Sequence, residues 1–309
     1  MSAITSFSFA KALWPGVNQW YGDEYKQYPV EWDKLFEKNT SRKAFEEDVG
    51  GSYFGLANIK SEGQSYEYDS ARQGFTSRYQ HVVYGLGFII TRETVEDDQY
   101  DVVGKMKAQS LAFSMRQTKE IIAANVYNRA FNSSYVGGDS ATLVASAGGG
   151  GSSTAPNVAG GTYTNGVATA SDLSEAALEQ ACIDIASFTN DRGLKIAVRP
   201  RRLVIPKELM FEATRILKTE GQVYSADNTL NAIKTMGMIP EVVVNHYLTD
   251  TDAWFILTDV KNGLKYFERR GDEFGMDEDF DTENAKYKAS ARYSFGWTDR
   301  RAIYGSPGA

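Results

Sequence analysis

The chain has 309 residues, of which 33 are Lys or Arg and 40 are Asp or Glu, giving a formal net charge of −7; Cys182 is the single cysteine. This balance weighs against a dedicated double-stranded DNA grip, which neutralises many phosphates with basic groups. A lone thiol excludes an internal disulfide or a multi-thiol metal site, so the chain suits a reducing compartment and relies on packing.

At 42% hydrophobic residues the chain can bury real cores. Its start, MSAITSFSFAKALWPG, lacks the basic head and long apolar run of a secretory signal. The longest apolar runs fall short of a membrane span, so none is expected.

Residues 1–48 read as a polar leader rich in aromatics, including Trp14, Trp20, Tyr21, Tyr25, Tyr28, Trp32 and Phe36. Pro15-Gly16 and Pro29 interrupt it, so only short helices are expected. Its aromatics need a surface, either the chain's own body or a neighbouring copy. Residues 50–92 read as an extended hairpin with a polar tip from Ser61 to Gly74 and a return strand from Phe75 to Ile90. Residues 95–131 form one long helix, with Asp97 and Asp98 near its start. Its apolar arc is too wide for a coiled-coil seam, so it is covered on more than one side.

Residues 136–171 carry one charge, Asp139, among Gly, Ser, Thr and Ala, and read as a low-complexity loop or surface insertion. Residues 172–258 read as a compact α/β region. Asp172 caps a helix, Leu194–Val198 and Leu203–Ile205 are strands, Pro206 starts a helix, Asp227 caps a short one, and Glu241–Asn245 is a strand. Lys261-Asn262-Gly263 then predicts a hairpin between Trp254–Leu257 and Leu264–Phe267. An acidic loop runs from Asp272 to Glu283. The closing strand alternates Tyr287, Ala289, Ala291, Tyr293, Phe295 and Trp297 with polar residues, a span of roughly 35 Å.

No constellation points to catalysis. Asp277, Asp279 and Asp281 alternate like the start of a calcium loop, but Thr282 and Lys288 stand where glycine and a bidentate glutamate are needed. Gly85-Leu-Gly87 lacks the third glycine of a dinucleotide fingerprint and lies inside a strand, which reads as packing. His81 and His246 lack ligand-spaced neighbours and read as structural, and Cys182 lies on an apolar helix face. Arg199, Arg201 and Arg202 form a basic cluster suited to phosphate or to a neighbour's acids; Arg269-Arg270 and Arg300-Arg301 face the same choice.

The order of parts resembles the major capsid protein of tailed bacteriophages, the Hong Kong 97-like α+β fold. Glu24-Tyr-Lys-Gln-Tyr-Pro29 is similar to that family's N-terminal segment, and Tyr84-Gly-Leu-Gly-Phe-Ile-Ile-Thr-Arg92 to the return arm of its extended loop. Trp254-Phe-Ile-Leu-Thr-Asp259, Gly263-Leu-Lys-Tyr-Phe-Glu-Arg-Arg270 and Arg292-Tyr-Ser-Phe-Gly-Trp-Thr-Asp299 resemble its closing strands.

The resemblance implies an N-terminal arm (1–48), an extended loop (49–93), a peripheral domain with its spine helix (94–135), a Gly/Ser-rich loop (136–171), an axial domain (172–285) and a returning C-terminal strand (286–309). It implies a structural protein without catalytic residues, metal or cofactor. The partners would be copies of itself in hexamers and pentamers, with scaffolding, portal and decoration proteins, around double-stranded DNA bound without sequence specificity and without a membrane. Assembly in the bacterial cytoplasm into a virion capsid follows. Intersubunit contacts are expected at Trp14, Trp20, Tyr25, Tyr28, Lys60, Glu62, Tyr66, Arg72, Arg78, Arg199, Arg201 and Arg202. Some relatives cross-link lysine to asparagine, but nothing identifies a partner for Lys60 or Asn58, and that bond is not predicted. An encapsulin-like cargo shell is the alternative of the same fold. An enzyme working on carbohydrate or phosphate through Asp and Glu pairs, and a cell-surface binding module built from β-strands, are the alternatives of other classes.

Overall fold

The computed structural model describes residues 9–70, 73–96, 100–145, 164–221, 229–278 and 284–309. In chain order the elements are α1 (Phe9–Gln27), a 3-10 turn (Trp32–Lys34), β1 (Glu37–Thr40), β2 (Phe45–Gly51), β3 (Gln73–Gln80), β4 (Val82–Ile90), α2 (Arg92–Glu96) and α3 (Tyr100–Asn128). There follow α4 (Glu175–Ala186), β5 (Pro200–Pro206), α5 (Met210–Lys218), α6 (Ala232–Met236), β6 (Glu241–Asn245), β7 (Trp254–Thr258), β8 (Leu264–Glu278), β9 (Ala285–Trp297) and β10 (Ile303–Ser306).

Two four-stranded sheets organise the chain, in the orders β1-β8-β9-β4 and β10-β7-β5-β6, while β2 and β3 form a separate ribbon. In the second sheet, Val204, Val243, Phe255, Leu257 and Ile303 enter the main core, and Leu203, Ile205, Trp254, Ile256 and Tyr304 enter a second core with α4, α5 and α6. Burial on both faces explains why these strands read as continuous apolar runs.

Helix α3 spans both sheets. Its middle packs Leu111, Ala112 and Met115 into the main core. Near its end, the Tyr127 and Phe131 rings lie 5.4 and 5.7 Å from that of Phe255 in β7. At about 1.5 Å per residue it is a rod of roughly 43 Å.

Several expectations shift. Helix α1 continues through Pro15, although only short helices were expected in the leader. Proline removes one helical donor, and burial of Val17 and Tyr21 further along the helix favours continuation. In the extended hairpin, the outgoing strand starts at Phe45, and the return strand divides at His81: β3 pairs with β2, and β4 joins β9. Lys261-Asn262-Gly263 does not close a hairpin, because β7 and β8 belong to different sheets. Asn262 adopts a left-handed φ of 60°, but the carbonyls of Asn262 and Gly263 accept from Asp299 and Thr298. The turn therefore hands the chain from one sheet to the other.

Leu194–Val198 is not a strand; Ala197 has a φ of 51°, which breaks extended pairing. Ser174, not Asp172, caps α4, its Oγ accepting from Ala177 N at 3.2 Å. The acidic segment from Asp272 to Glu278 is part of β8, and Glu273–Glu278 are in register with Ala285–Ser290 of β9. The flanks of the Gly/Ser-rich segment are core: Ala141 to Ala145 are buried, and Asn165 Nδ2 lies within 2.9–3.0 Å of the carbonyls of Leu143, Arg300 and Ile303. Asp97, Asp98, Asp227, Asp279 and Asp281 lie outside the described residues, as does the four-glycine run.

Candidate assembly surfaces

Between β2 and β3 the chain makes a long excursion whose two legs are clamped at the base. Arg192 donates to Tyr53 O (3.2 Å), Ser70 O (3.1 Å) and Asp69 Oδ1 (3.3 Å). Tyr53 N donates to Asp191 Oδ1 (3.0 Å), and Gly55 N to Asp69 Oδ2 (2.8 Å). The backbone N–H groups of Gly55 and Ser70, more than the Arg192 charge, hold the Asp69 carboxyl below the usual range.

Beyond this clamp the side chains find little cover. Phe54 is 62% exposed, Leu56 78%, Ile59 100%, Tyr66 69% and Tyr68 91%. Exposed apolar groups gathered on one protrusion mark an interaction surface. Lys60 and Tyr66 come together here, the ammonium 4.2 Å from the ring centre, with Glu62 exposed between them in sequence. Arg78, exposed on β3, lies over the Phe45 ring at 3.8 Å and near Glu47 at 3.9 Å. Arg72 lies outside the described residues.

The leader packs largely on its own chain. Trp14 falls within α1, its side chain outside the described part. Trp20 is half-buried against a small core of Val17, Ile90 and Tyr287. The Tyr21 hydroxyl donates to Asp272, and its ring stacks on Phe274 at 4.6 Å. Tyr25 is half-buried against the main core, and Tyr28 is exposed, edge-on to Phe113 at 6.1 Å.

Two α3 residues fasten this leader. Glu120 is buried and accepts from Glu31 N and Trp32 N, each at 3.0 Å; burial pushes its carboxyl up against the pull of those donors. The Lys119 ammonium lies 4.6 Å from the ring centres of Trp32 and Tyr266 and 5.3 Å from Tyr293, with Glu268 at 3.7 Å. Cation–π attraction and one carboxylate offset part of the loss of water; burial still lowers the lysine's affinity for its proton.

The arginine clusters divide. Arg202 pairs with Glu241 (2.6 Å) and donates to Lys34 O (2.6 Å), whereas Arg199 and Arg201 are exposed and make no ion pair among the described residues. Arg201 lines a cleft of about 390 Å³ with Lys34, Lys261, Glu37 and Asp259. Arg300 and Arg301 serve their own chain, pairing with Asp139 and Asp299, each at 2.6 Å. Arg270 meets Glu273 at 3.5 Å.

The remaining candidates are structural. His81 Nδ1 lies 2.9 Å from Ser294 Oγ, and burial lowers its proton affinity. His246 Nδ1 is 2.6 Å from Glu31. Cys182 is buried, which pushes its thiol up to about 11. A Cβ at Gly87 would stand 2.6 Å from Tyr287 O, so close strand approach requires that glycine. Among the described residues no group of three His, Cys, Asp or Glu could hold a metal ion, and no helix is long and apolar enough to cross a membrane.

Lys119, Glu120, Asn165, the Arg300–Asp139 pair and the Asp191–Arg192 clamp were not singled out for these roles from sequence. Charged residues on a mostly apolar helix were the available signal for Lys119 and Glu120, and Asp139 stood out as the lone charge of its segment. Nothing local marked Asn165 or Arg192.

Two sheets bridged by a long helix, with a clamped loop projecting its apolar side chains, define an α+β fold of the Hong Kong 97-like kind. Similar solved structures share that fold. A virus-like particle protein from Pyrococcus furiosus matches with a TM-score of 0.54 at 9% identity, over 94% of this chain and 98% of that one. A protein of Mycobacterium phage Patience matches at 0.53 and 10% identity, over 96% and 87%. The bacteriophage JBD30 procapsid matches at 0.51 and 13% identity, over 98% and 76%. No curated protein matches. Residues 74–306 match the phage capsid protein family, and the chain belongs to it. It is a structural capsid-shell protein.

Proposed function

We propose that the chain is the major capsid protein of a tailed phage, assembling as hexamers and pentamers into an icosahedral head that encloses double-stranded DNA. The clamped loop carries this reading: five large apolar side chains stand exposed beyond a base fastened by Asp191 and Arg192, an arrangement that gains stability when a neighbour covers it. In this reading residues 1–48 are the arm, 49–93 the extended loop, 94–135 the spine segment, 172–285 chiefly the axial domain, and 286–309 the strand returning to the peripheral sheet. Trp20, Tyr25, Tyr28, Lys60, Glu62, Tyr66, Arg72, Arg78 and the arginines near 200 supply contacts between copies, with Trp14. Net charge −7 suits a wall that confines DNA without gripping it. Assembly takes place in the host cytoplasm, with scaffolding, portal and decoration proteins as partners.

An encapsulin-like cargo shell is the second reading, favoured by the likeness to the Pyrococcus furiosus particle protein. Electron microscopy of the expressed chain, alone and beside the proteins encoded next to it, tests both. Closed particles, tubes or sheets are expected. A monomer or small oligomer under every condition overturns the shell reading, and particles holding a cargo protein and no genome overturn the phage-head reading.

A further inference from the structure

Strand β4 lies at the edge of the sheet β1-β8-β9-β4 and pairs on one side only, with β9, through nine consecutive residues and no register shift. Natural edges are blunted by charges, proline or a bulge, because their outward N–H and C=O groups template another strand. Val82–Ile90 carries no charged residue and no proline. Val82, Val83, Leu86 and Ile89 are exposed. Among the described residues no turn or loop backbone bonds to this strand.

The order of its side chains says what fits beside it. Val82-Val83-Tyr84-Gly85-Leu86-Gly87-Phe88-Ile89-Ile90 reads alike in both directions: two β-branched residues, an aromatic and a glycine stand on either side of Leu86. Laid antiparallel on a second copy with Leu86 opposite Leu86, every residue meets its own kind, Tyr84 against Phe88 and Val83 against Ile89. Directly opposite side chains of an antiparallel pair are neighbours on one face. Tyr84 and Phe88 already stack on Tyr293 and Tyr287 of β9, each at 4.8 Å, so the pairing extends both stacks across the joint.

The size of the joint sets where it forms. Nine residues at about 3.3 Å extend roughly 30 Å, and a sheet layer is about 10 Å thick. The joint therefore buries roughly 600 Å² over both copies, about half of the 1,200 Å² that a stable pair of proteins needs. It closes where other contacts already hold copies together, and it does not sustain a dimer alone.

We infer that β4 of one copy pairs antiparallel with β4 of a second about a twofold axis at Leu86, joining two four-stranded sheets into one of eight. This rests on the shell reading. Contacts within a ring run head to tail, whereas this one is isologous, so it links one ring to the next.

Cross-linking and charge pairing test it. In Leu86→Cys particles the two new side chains face each other at about 5 Å between Cβ atoms. Air oxidation is expected to convert most of the chain to disulfide-linked dimers, against a background set by wild type, whose one cysteine is buried. Val83→Cys stands opposite Ile89 and is expected not to link to itself. Leu86→Lys and Leu86→Glu each set like charges against each other, and each is expected to lower particle yield about tenfold or more. The melting temperature of the unassembled chain should hold, because Leu86 is 52% exposed. Co-expressed, the two charged variants are expected to recover much of the yield, a rescue that requires the strand to face its own copy. Leu86→Cys particles without the cross-link overturn the inference and leave the shell reading in place. So does normal assembly of both charged variants, or a mixture that assembles no better than either, the result expected if a leader or loop of another copy covers β4. A wild-type chain that forms no assembly overturns both.

Discussion

Arg300 and Asp139 form an ion pair 2.6 Å long with both side chains buried, 3% and 7% exposed. It ties the segment after α3 to the turn between β9 and β10, with Thr142 O as a further acceptor for Arg300 at 3.5 Å. Removing one partner strands a charge in the interior. Asp139→Asn or Arg300→Met is expected to cost about 3–5 kcal/mol, and the double variant less than the sum of the two. Urea unfolding of the unassembled chain measures this. Additive losses would show that the two residues act independently.

Glu120 holds the Glu31–Trp32 backbone against α3. Glu120→Ala leaves two donors without their acceptor and is expected to cost about 1–3 kcal/mol. Glu120→Gln keeps an acceptor and should cost less. Limited proteolysis near residues 28–34 should report the leader loosening in the alanine variant before the body unfolds. Equal resistance in both variants would mean that aromatic packing alone holds the leader.

The Asp272 carboxyl is pushed above its ordinary 3.8 by burial, with the Tyr21 hydroxyl and Lys119 pulling the other way. A carboxyl whose folded pKa exceeds its unfolded pKa gives no net contribution below both values, and lowers stability as pH rises through the window between them. Asp272→Asn removes that penalty while retaining an acceptor for Tyr21. The variant's stability relative to wild type is therefore expected to increase as pH rises above Asp272's ordinary 3.8, read by denaturant midpoints. A difference independent of pH would remove Asp272 from the account.

Arg192→Ala frees both legs of the projecting loop. The melting temperature should change little, because Arg192 is exposed at a turn; cleavage within residues 53–70 should accelerate, and assembly should weaken. Replacing residues 56–68 by a short turn should likewise leave the subunit folded and stop assembly. Global unfolding in the shortened chain would show that the loop belongs to the subunit's own core.

Local pattern reached far into this protein. The alternation from Tyr287 to Trp297 appears as β9, with Tyr287, Ala289, Ala291 and Tyr293 buried, because period two is a property of the strand itself. The apolar breadth of α3 foretold cover on several sides, and the quoted C-terminal stretches lie within the segment that matches the capsid family. Asn262 took its left-handed turn where the Asn-Gly pair placed it.

What lay beyond reach of local pattern is what the chain does across long separations. Asn262-Gly263 passes the chain between sheets instead of closing a hairpin, since the carbonyls that decide this meet Thr298 and Asp299. The 19-residue α1 continues through Pro15, and Arg192 reaches a loop more than 120 positions away. Composition, period and turn chemistry are carried by neighbouring residues, so the sequence by itself determined an α+β chain with a long helix and a long closing strand, while the shell role came from the resemblance of its C-terminal stretches to the capsid family. Which charges are buried with partners and which stand at the surface was decided by the tertiary structure alone, because desolvation and pairing exist only once distant segments meet.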